Sequence, residues 1–358
     1  MTSAPQPVAS ATSTSPSARL SWVDAGRGVA IVLVVLYHAT AWLEGAGLHI
    51  AYWVEIDQIL ATLRMPLFFA LSGLFAGKWL RASWSQLWNV KLRLFLWVFL
   101  VWEVIGFVVT YGCLMIQGRH FGMLHEFRGL LLVPFAPRFE LWFIWALAIF
   151  FVVARAARRV PPLVQLGVTA VISAVALTVD FDSLSVRLNI GWIGVGKYLF
   201  FFLLGIYGRE LILRFSQVRP AVLVATFLLW AAVAVPLALA DWQHVPGAYF
   251  LNCLLGVAAG VAVSRALSRW ARLRRIGANT LPIYLAHTPL ILVITTGIVL
   301  ADLTPALEHV AGILPPIITI AAVALTLALH RACTGNMGRW LYEPPPELLR
   351  VNSAGGKS

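Results

Sequence analysis

Charge is scarce in this sequence. Only 12% of its 358 residues are charged, whereas 60% are hydrophobic, and the mean hydropathy is +0.84. A soluble domain carries about 25% charged residues, so the composition argues against a water-soluble bundle. Cysteine is nearly missing. Cys113, Cys253 and Cys333 stand alone, with no CxxC and no metal-ligand spacing, so neither a disulfide framework nor a metal site is expected. There is no Walker loop, haem signature or GxSxG nucleophile elbow. No internal repeat is evident, which counts against many transporter folds. The formal net charge of +12 comes without any RNA- or DNA-binding motif, so nucleic acid is not an expected partner.

What the chain does contain is a succession of apolar stretches, each long enough to cross a hydrocarbon core of about 30 Å. These predict an all-α integral membrane protein of about ten transmembrane helices. The expected spans are 26–43, 58–77, 94–116, 141–154, 162–179, 192–213, 220–240, 246–264, 278–300 and 311–331. Pro134 and Pro137 predict an irregular approach to the fourth. Residues 1–18 are rich in Ser, Thr, Pro and Ala and carry no charged side chain. They read as a disordered tail without the charged and apolar regions of a signal peptide. The organisation expected is that tail, a transmembrane domain over 19–331 and a cytoplasmic tail over 332–358.

The distribution of charge orients the bundle. One set of connections holds Lys78, Arg81, Lys91, Arg93, Arg155, Arg158, Arg159, Arg209, Arg214, Arg219 and the cluster Arg265 to Arg275. The opposite set holds most acids, among them Glu44, Glu55, Asp57, Glu126, Glu140, Asp180, Asp182, Asp241, Asp302 and Glu308, with Arg187 among its few basic residues. Basic residues favour the cytoplasmic side, so both termini are expected there, in a cell's inner membrane.

Ionisable groups inside membrane helices cost about 2.5–3.5 kcal/mol on insertion scales and are functional candidates. His38, Arg64, Glu103, Lys197 and His287 are such groups. On the first span, Asp24 and Arg27 sit at the cytoplasmic start. His38 follows eleven residues after Arg27, which returns within about 20° of the same face and about 16 Å along the axis. Asp24 falls within about 40° of His38. That stripe suits an anionic donor entering from inside and reacting deeper. It equally suits an Asp24–Arg27 pair anchoring the helix start, with His38 bonded to a neighbouring helix. Arg64 and Lys197 fall at depths similar to that of His38, so the three could surround one outward-facing cavity; each cation could instead snorkel to the interface. Glu103 could balance one of these cations. For His287, a structural hydrogen bond is the commoner explanation. The groups suit general-base chemistry by a histidine, with cations to stabilise developing negative charge.

Five ordered segments carry a family resemblance. WVDAGRGVAIVLVVLYHA (22–39), RMPLFFALSGLFAGK (64–78), LWFIWAL (141–147), GKYLFFFLLGIYG (196–208) and IGANTLPIYLAHTPL (276–290) together resemble the acyltransferase 3 family of membrane O-acyltransferases. The resemblance implies acyl transfer from cytoplasmic acyl-CoA, as co-substrate with no permanently bound cofactor, to a hydroxyl of a glycan, glycolipid or other envelope acceptor. It implies that His38 is the catalytic base or acyl relay, with Asp24 and Arg64 beside it, and that Arg27 positions the donor. Ser72 and Gly73 would allow close helix approach beside the site. Many relatives carry an Arg-x-x-Arg-like pair where this chain has Lys91-Leu-Arg93, which keeps the charge for donor contacts. The alternative is a carrier or flippase for a lipid-linked or acylated small molecule, with the same charges lining a passage. A non-catalytic membrane scaffold is a third reading.

Overall fold

A computed structural model describes residues 20–179, 189–240, 242, 245–333, 335 and 338–345. The 1–18 tail, the end of the C-terminal tail from residue 346, and Asp180, Asp182, Arg187 and Asp241 lie outside the described residues. The described regular structure is helical throughout. The principal helices are α1 (Ser21–Gly45), α2 (Ala51–Gly73), α3 (Arg93–Ile116), α4 (Met123–Leu131), α5 (Trp142–Ala156), α6 (Pro162–Thr178) and α7 (Ile190–Tyr207). They continue with α8 (Arg209–Phe215), α9 (Pro220–Leu239), α10 (Ala248–Ala266), α11 (Ala271–Ala278), α12 (Thr280–Leu300) and α13 (Leu314–Cys333).

Among the described residues, eight helices are long and apolar enough to cross a membrane. The chain is therefore a multi-pass membrane protein. Each of the ten expected spans coincides with a helix, but two fall outside that set of eight. α6 is a shorter apolar helix of 17 residues, and α2 carries Glu55, Asp57 and Arg64 within its length. The expected span 192–213 is also broken at Gly208, which separates α7 from α8. The approach to α5 is irregular, as the two prolines suggest, and passes through a tight turn at Phe139–Leu141.

Helix starts follow local chemistry. Pro162 and Pro220 open α6 and α9, where a missing N–H costs nothing. Asn189 caps α7 by accepting the Gly191 N–H at 2.8 Å. Just before α3, residues Trp88–Leu92 form a π-helical turn that contains Lys91.

Packing is tightest around α1 and α2. α1 lies against α2, α10, α11, α12 and α13, while α2 also meets α7, α9 and α10. Lipid tails are as apolar as leucine, so helices in a membrane gain by close backbone approach. Gly73 of α2 faces the carbonyl of Phe202, and Gly205 of α7 faces that of Ala70. Gly256 of α10 lies on the Thr62 carbonyl, and Gly277 of α11 lies on the Asp24 carbonyl. A Cβ at any of these positions would overlap backbone atoms. Hydrogen bonds between helices add to this: Trp230 Nε1 donates to Thr62 Oγ1 at 3.0 Å, and Ser173 Oγ donates to the Lys197 carbonyl at 2.6 Å.

Part of the expected C-terminal tail folds back on the bundle. The indoles of Trp97 and Trp102 on α3 donate to the carbonyls of Trp340 and Leu341, at 2.6 and 2.7 Å. Tyr342 is buried there between Trp102 and His330, and burial pushes its phenol up to about 12.

Candidate active site

A cavity of about 660 Å³ opens among α1, α2, α5, α7 and α12. Its polar lining brings together His38, Arg64, Glu140 and Lys197, with the phenols of Tyr37, Tyr198 and Tyr284. The depth argument thus grouped His38, Arg64 and Lys197 correctly. The apolar walls are mostly aromatic, including Trp42, Phe68, Trp142 and Phe143. Concave, largely apolar sites with a few convergent polar groups are the usual form of small-molecule sites.

His38 occupies the wall with little exposure. Its Nδ1 lies 3.7 Å from Glu140 Oε1, and both side chains are 16% exposed. That is slightly longer than a hydrogen bond. The ring of Tyr37 meets the His38 ring edge-on at 4.9 Å. The ring of His287 lies 5.1 Å from that of His38.

His287 is fixed by its own helix. Its Nδ1 lies 2.8 Å from the Tyr284 carbonyl and 3.1 Å from that of Ile283. Carbonyls only accept, so Nδ1 carries the proton and Nε2 keeps its lone pair. The structural hydrogen bond expected for His287 is present, and it also sets the ring against His38.

Arg64 is buried and forms a partition. Its Nη1 lies 3.5 Å from Asp57 Oδ1 on the same helix and donates to the Leu33 carbonyl at 3.4 Å. Its guanidinium sits 4.4 Å above the Tyr37 ring. On the far side, Arg64 lines a second cavity of about 430 Å³ with Glu44, Asp57, Gln58 and Tyr249.

Glu140 is delivered by a strained turn. Phe139 has φ of 52°, a left-handed conformation that is costly for a bulky residue and clusters at functional sites. On its other side, Arg138 is clasped by Glu126 of α4 and Tyr111 of α3. Its Nη2 meets Glu126 Oε2 at 2.5 Å and donates to Tyr111 Oη at 2.9 Å, while Nη1 donates to the Glu126 carbonyl at 2.9 Å. The Arg138 backbone N–H donates to Glu103 Oε1 at 3.1 Å. Glu103 therefore engages the approach to α5.

The Arg138 guanidinium, with the Tyr111 hydroxyl, holds the Glu126 carboxyl below the usual carboxylate range. A lowered value means the clasp's contribution is complete above the ordinary glutamate value and is lost as pH falls through the shifted one. Amide exchange protection over 123–139, corrected for intrinsic rate, should hold from pH 7 to about 5 and drop below about 4. In Glu126→Gln the protection should be lower at neutral pH and insensitive to acid.

The remaining candidates lie away from the cavity, at the end of the bundle where α1 begins. Arg27 sits 5.5 Å above the Phe75 ring. Lys78 and Lys91 approach the Trp79 ring at 5.1 and 5.9 Å, and Arg27 is near enough to Lys91 to act on it electrostatically. α11, with Arg272, Arg274 and Arg275, packs along the start of α1 beside the buried Asp24. Arg93 donates to its own helical turn at Asn89, 3.0 Å away, and Ser72 Oγ donates to the Phe68 carbonyl at 2.8 Å. Asp24 and Ser72 are not among the residues that line the cavity. Glu140 and Asp57 were missed as site residues because each reads in sequence as an acid of an outer connection. Asp57 did leave a signal: seven residues before Arg64, it shares that residue's helical face.

The family described as an acyltransferase domain, acyltransferase 3, matches residues 20–330. No curated protein and no solved structure matches the chain.

Proposed function

We propose that this chain, which belongs to the acyltransferase 3 family, is an inner-membrane O-acyltransferase that moves an acetyl or other short acyl group from cytoplasmic acyl-CoA to a hydroxyl of a glycan, glycolipid or other envelope acceptor. The observation that carries this reading is the His38 imidazole facing a roomy cavity with a carboxylate, Glu140, at its Nδ1.

In the proposed reaction Glu140 accepts the Nδ1–H of His38, which leaves the Nε2 lone pair toward the cavity. Nε2 takes the proton of the acceptor hydroxyl as its oxygen attacks the thioester carbonyl. The C–O bond forms, the C–S bond breaks, and the imidazolium returns its proton to the departing thiolate. A variant of the same scheme has His38 carry the acyl group transiently. Arg64 supplies positive charge for the tetrahedral oxyanion, and Asp57 keeps that guanidinium in place. The aromatic walls suit the C–H faces of a sugar ring. Arg27, Lys78 and Lys91 attract the donor's phosphates at the opposite end, which the basic connections suggest is cytoplasmic.

The test is release of free CoA thiol from acetyl-CoA by the purified protein in liposomes, with and without hydroxylated acceptors. Acceptor-dependent release is expected, and Glu140→Gln should slow it by about 10²-fold while protein folding is unchanged. Substrate movement across the vesicle with no thiol release from any donor would overturn the reading and favour a carrier.

A further inference from the structure

Another cavity shares no lining residue with the one that contains His38. A groove of about 670 Å³ runs between the first turns of α9 and the last turns of α10. Its mouth carries three guanidinium-bearing residues, Arg219, Arg265 and Arg269, together with Gln217 and Ser268. No aspartate or glutamate lines it among the described residues. Deeper in, the walls are Leu223, Val224 and Phe227 of α9 and Ala262, Val263 and Ala266 of α10. Arg219 and Phe227 are separated by eight residues, so the basic mouth and the apolar floor are offset by about 12 Å along the helix. Val224 and Leu228 are 58% and 60% exposed, which marks this face of α9 as one turned to lipid.

Those features describe one kind of ligand: a phosphate-bearing head with an apolar chain running parallel to a membrane helix. Water-soluble anions would satisfy the arginines and leave the floor uncovered. Neutral lipids would cover the floor and leave three cations without a counter-charge. Arg265 Nη1 donates to the Ser268 hydroxyl at 3.5 Å, and that hydroxyl donates to the Arg265 carbonyl at 2.7 Å, which ties the guanidinium to the mouth. Basic pockets between membrane helices hold anionic headgroups through the same combination of charge and depth. We propose that this groove binds one anionic phospholipid, its phosphodiester held by Arg219, Arg265 and Arg269 and an acyl chain lying along Leu223, Val224 and Phe227.

The test is native mass spectrometry of the full chain in a neutral detergent, offered equal amounts of phosphatidylglycerol and phosphatidylcholine. The expected result is one retained phosphatidylglycerol per chain, in preference to phosphatidylcholine. The combined variant R219Q/R265Q/R269Q should reduce that preference by about tenfold or more. Val224→Trp, which fills the floor and leaves every charge in place, should lower phosphatidylglycerol occupancy independently, so the proposal stays testable if the triple variant misfolds. Equal retention of both lipids by the unmodified protein would overturn it, as would occupancy unchanged in Val224→Trp. Displacement of the lipid by free CoA at equimolar concentration would overturn it too, because the mouth would then be a donor-phosphate site.

Discussion

His38→Ala is expected to lower acyl transfer by about 10²- to 10⁴-fold, the range associated with a positioned general base. The loss should appear in turnover, with little change in the amount of inserted protein. His38 contributes one partly exposed face of α1 to a cavity wall, and the helix is held elsewhere by contacts with five other helices. Removing the imidazole enlarges a space that is already open, so the stability cost is small. His38→Gln is a stricter probe, since it restores volume and polarity without a group that titrates near neutrality. Both variants should be equally inactive. If Gln restored transfer, the residue would be acting by hydrogen bonding alone.

Gly277→Ala is expected to have the largest effect on folding. A Cβ there would collide with the Asp24 carbonyl and the Gly28 nitrogen, all backbone atoms of α1. Overpacking usually costs about 1–3 kcal/mol because side chains can yield; backbone can yield only if whole helices separate. The partner position Gly28 is also closed, facing the Leu273 carbonyl. The variant should therefore unfold at a markedly lower temperature in detergent and give little monodisperse protein. Gly297→Ala on α12 serves as the control, because no atom lies within 4 Å of its added carbon. Equal thermal stability of the two variants would contradict the account of this packing.

Much of the architecture was legible in the sequence for a simple reason. Backbone groups in hydrocarbon must be bonded within a helix, so each apolar stretch is helical, although 192–213 divides into α7 and α8 at Gly208. The common depth of His38, Arg64 and Lys197 followed from rise per residue alone, and the three line one cavity. Features that depend on tertiary placement were not legible. Glu140 reads as an acid of an outer connection until the left-handed Phe139 and the clasped Arg138 turn it toward His38. Glu103 reads as a counter-ion for a membrane cation, and no sequence pattern shows that the backbone N–H of Arg138, before α5, donates to it. Nothing in the polar composition of the C-terminal segment predicts that Trp340 and Leu341 would offer carbonyls to two indoles of α3. Arg27 and His38 do share a stripe on α1, but they lie in different surroundings: Arg27 in the basic cluster and His38 in the cavity wall.

That division of labour supplies the most direct experiment. Proteoliposomes of uniform orientation would carry acetyl-CoA labelled in its acyl group on the side of Arg27 and a hydroxylated sugar acceptor on the other. The account predicts labelled ester on the far side in the unmodified protein and none above background with His38→Ala. Labelled ester formed equally well by the His38→Ala protein, or formed only when donor and acceptor share a compartment, would contradict it.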